Sequence, residues 1–235
     1  MKQIIAMGGG GFSMEEDNPL LDLYILAQSK KKKPRVCFVP TASGDADGYI
    51  RKFYRCFEKF ECETSHLSVF KAPVDLEGFM SEQDIFYVGG GNTRNLLILW
   101  KEWRIDELLK RAYHKGAILT GLSAGSICWF EQGVTDSIPG KLSSLECLGL
   151  LKGSNCPHYD GEKERRPSYH KLVENGEVTD GYAADDGVAF HYINESLHRV
   201  VSSRENAKAY LVKKKKGSIV ETEVHPIYLK ESALI

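Results

Sequence analysis

The sequence predicts an α/β protein with a mainly parallel sheet, helices on both faces of that sheet and an antiparallel extension in the C-terminal part. Over the first 133 residues, short runs that are apolar along their whole length alternate with amphipathic segments. Such runs are typical of parallel strands that are covered on both faces. After Gly133, shorter apolar stretches lie between turn residues, which indicates antiparallel strands at the edge of the sheet.

The first part of the chain alternates strands with helices. An apolar strand over Gln3–Met7 stops at four glycines, and apolar residues at helical spacing predict a helix over Pro19–Gln28. The nearly all-apolar run Arg35–Pro40 predicts a strand between two prolines. Tyr49–Phe60 places its apolar residues on one helical face, and Thr64–Phe70 alternates weakly as a strand. This order is that of strand–helix–strand units.

The next segments continue this order. A strand over Asp84–Val88 ends at three glycines, after which Asn92 can cap a helix. A helix over Ile105–His114 leads into the apolar strand Ala117–Gly121, and a helix is predicted over Ala124–Gln132. A fifth strand is thus followed directly by a helix.

The C-terminal part predicts one helix, over Arg166–Glu174, and several short strands. These strands are Tyr182–Ala184, Val188–Ile193, Arg199–Val201, Tyr210–Val212 and Ile227–Leu229. The run Lys213–Lys216 precedes a glycine and predicts a solvated hairpin turn. Since no linker or internal repeat divides the chain, we expect one α/β domain over residues 1–235.

The composition argues against several classes of function. The 31 basic and 32 acidic residues give a formal net charge of −1, which lacks the electrostatic footprint of a dedicated nucleic-acid binder. No apolar run approaches the roughly 20 residues that span a bilayer, and the N-terminal apolar run is too short for a signal peptide. None of the six cysteines forms a C-x-x-C pair. We expect a cytoplasmic protein with reduced thiols, and neither nucleic-acid nor membrane partners.

The motif G-x-S-x-G, formed by Gly121, Ser123 and Gly125, follows an apolar strand and precedes a helix-like segment. This is the setting of a nucleophile elbow, a tight turn that exposes one side chain at the carboxyl edge of a sheet. The turn also places the Ala124 N–H at a helix N-terminus, where positive partial charge favours an oxyanion. A serine that only caps the helix is the structural alternative.

A serine nucleophile needs a base, and the base needs an orienting carboxylate. Among the seven histidines, His158 stands out because it follows Pro157 in a loop that could hold an imidazole over the elbow. The carboxylate could come from Asp136, just beyond the elbow helix, or from Asp186, between two apolar stretches. The second position, next to another aspartate and before a glycine, is also a good turn.

Two glycine-rich turns, Gly8–Gly11 and Gly89–Gly91, each follow a strand and have the form of anion-binding turns. The first has Ser13 where a dinucleotide fingerprint needs its third glycine, and neither turn carries a Walker lysine. Backbone donors for an oxyanion are therefore the favoured interpretation, and phosphate binding is the alternative.

Three motifs occur in order along the chain, and together they are more specific than any one of them. They are Phe86–Thr93, Gly121–Gly125 and Pro157-His158-Tyr159. They resemble the peptidase E and cyanophycinase family of serine peptidases, and the resemblance covers most of the chain. It implies a fold like that of class I glutamine amidotransferases, with a flavodoxin-like sheet and the nucleophile on an elbow after a central strand. Those amidotransferases use cysteine, so Ser123 favours the peptidase branch.

The resemblance also implies roles for individual residues. Ser123 would be the nucleophile and His158 the general base. The backbone N–H groups of Gly90 and Ala124, with Gly91 as a further candidate, would form the oxyanion hole. These assignments make the turn after the fourth strand part of the site.

The third member of the triad and the substrate-binding residues are carried over in the same way. Peptidase E has an aspartate shortly after the elbow helix, which favours Asp136 for the triad, whereas cyanophycinase-like relatives favour Asp186, which we keep as a second orienting group. Peptidase E cleaves dipeptides with an N-terminal aspartate, and arginine is suited to bidentate capture of a carboxylate. Arg165 or Arg166 would serve, with Asn92 as a further substrate-binding candidate.

The sequence therefore predicts a serine-type dipeptidase that uses a Ser-His-Asp triad and an acyl-enzyme, with a small peptide as its partner and no metal or organic cofactor. We expect a monomer or a homodimer. Two alternatives stay open. One is a cyanophycinase-like or other amide hydrolase of the same fold, and the other is a non-catalytic protein that binds a small anion at its glycine-rich turns.

Overall fold

The computed structural model of the protein describes residues 1–230, and its strands form two β-sheets. Within these residues the strands are β1 (Gln3–Met7), β2 (Arg35–Val39), β3 (Glu63–His66), β4 (Ile85–Val88), β5 (Ile118–Leu122), β6 (Phe130–Thr135), β7 (Ser143–Glu146), β8 (Leu151–Cys156), β9 (Gly181–Ala184), β10 (Val188–Ile193), β11 (Ser196–Ser202), β12 (Ala209–Lys215), β13 (Ser218–Val224) and β14 (Ile227–Tyr228). The predicted domain range of 1–235 includes residues 231–235, which lie outside this description.

Helices connect the strands. They are α1 (Gly11–Met14), α2 (Leu20–Ala27), α3 (Asp47–Phe57), α4 (Leu76–Ser81), α5 (Thr93–Glu102), α6 (Ile105–Lys115), α7 (Ala124–Ile127) and α8 (Arg165–Asn175), with a 3₁₀ turn at Thr41–Ser43. Across residues 1–230, every helix falls short of the length and apolar character that a membrane crossing requires.

The first sheet has eight strands in the order β14-β11-β10-β1-β5-β4-β2-β3. Strands β1, β5, β4, β2 and β3 are parallel to one another, whereas β10 pairs antiparallel with β1 and β11 pairs antiparallel with β10. The predicted fold class, a mainly parallel sheet with an antiparallel extension, is confirmed.

Both faces of the first sheet are covered, as the all-apolar strand runs predict. Side chains of β1 alternate between two core clusters, with Ile4 on one face and Ile5 on the other. Helices α5 and α6 pack on the face of Ile4, and α2 and α3 pack on the face of Ile5. Because each face has its own apolar cover, these strands need no polar alternation.

The second sheet is the main difference from the predicted architecture. Its order is β13-β12-β9-β8-β6-β7, so β9 and β12 belong to a separate sheet rather than to the edge of the first. One face, with Phe130 and Leu151, joins the core cluster under α5 and α6, and the other face packs against Tyr169 and Leu172 of α8. Both faces of the second sheet are therefore covered by apolar side chains. A sequence pattern of short apolar strands does not distinguish such a separate sheet from an extension at the edge of the first sheet.

The helix predicted over Ala124–Gln132 is wrong after its first turn. Helix α7 ends at Ile127, and β6 begins at Phe130, which pairs with Leu151 of β8. The side chain of Phe130 is fully buried in the shared core. Sheet pairing and burial therefore outweigh the local helix propensity of this segment, as tertiary context often does.

Candidate active site

The carboxyl ends of strands from both sheets meet at one place. Ser123 directly follows β5, His158 lies two residues after β8, and Asp186 lies two residues after β9. Successive carbonyl groups at the end of β1 hold the first two of these residues: the Ser123 N–H donates to Met7 O (3.3 Å), and the His158 N–H donates to Gly8 O (3.2 Å). In open α/β sheets this edge is where ligands bind.

Ser123 occupies a strained turn between β5 and α7. Its backbone angles are φ 54° and ψ −115°, which a non-glycine residue adopts at a cost of about 1–3 kcal/mol. A Cβ at Gly121 or Gly125 would lie 2.5 or 2.2 Å from the carbonyl oxygen of Val88, at the end of the neighbouring strand β4. The two glycines of the motif are therefore needed because the turn passes directly against that backbone.

His158 is paired with Asp186. The distance from His158 Nδ1 to Asp186 Oδ1 is 2.6 Å, and the two side chains are only 12% and 19% exposed. The aspartate is fixed in turn, because its N–H donates to Asp160 Oδ1 and its carbonyl accepts from Arg204. A carboxylate accepts hydrogen bonds, so Nδ1 is the donor of this pair, and in the neutral imidazole Nε2 is then the acceptor. Within residues 1–230, Ser123 Oγ makes no hydrogen bond to this imidazole; such bonds are often long in unliganded sites.

Asp136 lines a pocket beside Ser123 that neither His158 nor Asp186 lines. Its side chain is 68% exposed, and its nearest charged partner is Arg165, at 3.9 Å from Nη2 to Oδ1. The two carboxylates that the sequence offers for the same role are therefore separated in the structure: Asp186 contacts His158, and Asp136 faces the guanidinium.

The three candidate oxyanion donors also differ in their surroundings. The Gly90 N–H donates to Tyr49 Oη at 3.3 Å. The N–H groups of Gly91 and Ala124 donate no hydrogen bond within the described part of the chain, and Ala124 is the first residue of α7. A Cβ built on Gly90 would lie 3.3 Å from Ser123 Cβ, so the glycine turn passes close to the nucleophile position.

A pocket of about 310 Å³ opens beside Ser123. Its other lining residues are Gly91, Asn92, Asp136, Ser137, Glu162 and Arg165. The Arg165 side chain is 2% exposed and donates from Nε to Glu162 Oε2 (2.6 Å) and from Nη1 to Val134 O (2.9 Å). These bonds lock the guanidinium and direct Nη2 towards Asp136. The pocket thus combines one buried cation with two carboxylates at its rim.

The other two substrate-binding candidates are engaged elsewhere. Arg166 pairs with Glu221 and lies over the rings of Tyr159 and Tyr210, and it does not line the pocket beside Ser123. Asn92 lines the pocket, but its Oδ1 caps α5 and its Nδ2 donates to Ser137 O. Of the two arginines, only Arg165 is positioned beside Ser123.

Two residues of this region were not singled out from the sequence. Glu162 lies three positions before Arg165, and this spacing is a signal for an ion pair that could have identified it. Tyr49, on α3, reaches Gly90 from a distant part of the chain, and no local pattern indicates that contact. Among the residues described, no three His, Cys, Asp or Glu side chains converge in the manner of a metal site.

Comparison with known proteins identifies the family. The model of peptidase family S51 matches residues 4–200. The uncharacterized peptidase YgaJ of Bacillus subtilis strain 168 is 59% identical over 230 residues, which are 97% of this chain and all of that protein.

Solved structures share the fold. A peptidase from an acI-B1 actinobacterium has a TM-score of 0.71 at 16% identity, covering 96% of this chain and 95% of its own. A putative peptidase E protein from Listeria monocytogenes EGD-e has a TM-score of 0.58 at 17% identity, covering 96% and 100%. The family match over most of the chain and the 59% identical relative lead to the same conclusion. The chain belongs to peptidase family S51 and is a peptidase.

Proposed function

We propose that this peptidase is of the serine type, with Ser123 as nucleophile, His158 as general base and Asp186 as the carboxylate that orients the imidazole. The observation that carries the proposal is the 2.6 Å bond between His158 and Asp186, next to a serine on a strained elbow. The contact of Asp186 with His158 supports this role better than the position of the exposed Asp136, which makes no hydrogen bond to His158 within residues 1–230.

The proposed reaction begins with proton transfer. Because Asp186 accepts a hydrogen bond from Nδ1–H, His158 Nε2 takes the Ser123 proton as the oxygen attacks the peptide carbonyl. The tetrahedral oxygen accepts from the N–H groups of Ala124 and Gly91. His158 then protonates the leaving amine as the C–N bond breaks, which leaves an acyl-enzyme on Ser123. A water molecule, deprotonated by His158, then attacks the ester; the bond between the acyl carbon and Ser123 Oγ breaks, and His158 returns the proton to Oγ as the acid is released.

We further propose a small peptide with an acidic N-terminal residue as the substrate. Arg165 supports this choice because its buried guanidinium keeps Nη2 directed into the pocket, where a substrate carboxylate would compete with Asp136. The exposed carboxylates of Asp136 and Glu162 are suited to the free α-amino group of the same residue. A pocket of about 310 Å³ is at the lower end of ligand pockets and fits a short peptide.

A fluorophosphonate probe combined with a dipeptide panel tests the proposal. We expect covalent labelling at Ser123 that is lost in Ser123→Ala and slowed in His158→Ala. The panel compares Asp-X, Glu-X, Asn-X and β-linked aspartyl substrates. Hydrolysis without a preference for Asp-X would overturn the substrate class and favour another amide hydrolase of this fold. Labelling that persists in Ser123→Ala, or no labelling and no hydrolysis at all, would overturn the nucleophile.

A further inference from the structure

Tyr49 contacts the glycine turn beside the nucleophile. Its hydroxyl accepts from the Gly90 N–H (3.3 Å) and donates to Ser13 Oγ (2.8 Å). Its ring packs against Phe12 and Phe38, with ring centroids 5.6 and 4.9 Å away. Because the ring is clamped and the hydroxyl has a second partner, the oxygen that faces Gly90 is fixed in place.

The turn Gly89–Gly91 depends on such a contact for its shape. Three consecutive glycines have more backbone freedom than any other tripeptide. The two ends are tied, since the Gly89 N–H donates to Val39 O (3.1 Å) and the Asn92 N–H donates to Ala42 O (2.7 Å). Between these ends, the Gly90 N–H has Tyr49 Oη as its acceptor in the described structure. Tyr49 therefore restrains the middle of the turn.

The orientation of the Gly90 N–H affects whether the next N–H along the chain, that of Gly91, is available to a substrate. With the Gly90 N–H turned to Tyr49, the following N–H, that of Gly91, is left without an acceptor in the described residues, and Gly91 lines the pocket beside Ser123. We infer that Tyr49 is a positioning residue: it holds the Gly90 amide away from the substrate and thereby presents the Gly91 N–H, together with that of Ala124, to the tetrahedral oxygen. This inference rests on the proposed serine mechanism.

The variant Tyr49→Phe tests it, because it keeps the ring and removes only the hydroxyl. A matched control is Tyr54→Phe on the same helix, whose hydroxyl bonds to His66 Nδ1 at 2.7 Å, away from the glycine turn. Losing an oxyanion donor costs 10²–10³ in rate, so we expect misorientation of one donor to lower kcat at least about 10-fold. KM should change less than about threefold, because the donor acts mainly in the transition state.

A second measurement tests stabilisation of the oxyanion separately from substrate binding. A peptide aldehyde forms a tetrahedral adduct with the nucleophile, and its affinity should fall in Tyr49→Phe in parallel with kcat, whereas the affinity for a matching, unreactive amide should not. Ser13→Ala, which removes the partner of the Tyr49 hydroxyl, should give a smaller change in the same direction. Thermal melting should be similar for Tyr49→Phe and Tyr54→Phe.

Three results would overturn the inference. The first is a kcat and an aldehyde affinity equal to those of Tyr54→Phe. The second is a rise in kcat, which would mean that Gly90 is itself the donor and that Tyr49 competes for it. The third is a loss of melting temperature that accounts for the loss of activity while Ser13→Ala has no effect. Failure of the serine mechanism is a separate result, because the wild-type chain would then show no probe at Ser123.

Discussion

The two sides of Ser123 are built on opposite principles. On one side, His158 and Asp186 form a short hydrogen bond between two mostly covered side chains, and the aspartate backbone is held by two further contacts. On the other side, the cation is buried and the carboxylates are exposed: Arg165 is 2% accessible, whereas Asp136 is 68% accessible. The first side covers most of its two side chains, whereas the second presents its carboxylates to solvent.

In the proposed mechanism, this difference suits chemically similar residues to different tasks. Proton transfer requires an imidazole of fixed tautomer and direction, which an enclosed carboxylate provides. Recognition requires charges that can exchange solvent or weak partners for a ligand, and exposed carboxylates do so at small cost. Asp186 and Asp136 are the same residue type on two sides of one serine, and their surroundings decide which role each can take.

The largest expected effect comes from removing the charge of the carboxylate that contacts His158. Asp186→Asn should lower kcat on the order of 10²- to 10⁴-fold, because an amide no longer imposes the productive tautomer on His158. Asp136→Asn, the matched change on the other side, should alter kcat less than about threefold and act mainly on KM for substrates with a free amino terminus. Steady-state kinetics on an Asp-X dipeptide measure both. A larger kcat loss in Asp136→Asn than in Asp186→Asn would reverse the two assignments.

The second largest effect concerns the proposed binding of the substrate carboxylate by Arg165. Arg165→Lys should lower kcat/KM for an Asp-X dipeptide about 10- to 100-fold, because a charge-assisted hydrogen bond contributes about 1.5–3 kcal/mol and lysine cannot reproduce the fork geometry. Ala-X dipeptides should lose much less. Arg166→Lys, adjacent in the chain but outside the pocket, is the control and should leave the Asp-X to Ala-X ratio unchanged. Equal losses for both substrates in Arg165→Lys would show that the arginine only supports the fold.

A smaller effect tests how closely the catalytic side is packed. A Cβ at Gly161 would lie 2.4 Å from Asp186 Oδ2, so Gly161→Ala must displace that carboxylate. We expect kcat to fall about 10-fold, a fraction of the loss in Asp186→Asn, since the group is shifted rather than removed. Gly48→Ala, where a Cβ meets no atom within 4 Å, is the control and should retain activity. Unchanged kcat in Gly161→Ala would show that the pair tolerates movement.

The comparison also shows which parts of the site the sequence could predict. Ser123 has a local signature, because the glycines around it are needed for the turn itself. The choice between Asp136 and Asp186 has none, since both residues follow strands that neighbour β8, the strand before His158, in a sheet that the sequence did not reveal. The same applies to Tyr49 and Gly90, which are 41 positions apart in the chain.

In the fold, too, local features could be predicted from the sequence, whereas contacts between separate segments could not. Strand β1 has the bounds that its apolar run predicts, and β2 and β4 differ from theirs by one residue. The second sheet was missed because its strands are partly exposed, as β6 and β8 are, and because their apolar pattern does not show that they pair with each other. Patterns of apolar residues report burial, but they do not identify the neighbouring strand.

The last prediction separates the pH dependence of folding from that of the site. The carboxyl group of Asp22 is buried in the core, where Tyr87 donates to it and no cation within residues 1–230 contacts it, and desolvation raises its pKa to about 7. The folded chain therefore retains this proton between about pH 4 and pH 7, where the unfolded chain releases it. Stability should fall as pH rises through this window, by up to about 1.4 kcal/mol per pH unit.

Denaturation of wild type and Asp22→Asn at pH 4.5 and pH 7 measures this contribution. The free energy of unfolding of Asp22→Asn minus that of wild type should be larger at pH 7 than at pH 4.5, because the amide does not titrate and its stability does not decline over this window. Tyr87→Phe should extend the wild-type decline to higher pH, since the hydrogen bond from Tyr87 lowers the pKa of Asp22. Activity below the melting temperature should keep its pH profile in Asp22→Asn, because Asp22 is buried in the core and does not line the pocket beside Ser123. A pH-activity curve that moves with Asp22 would mean that the core and the site are not independent.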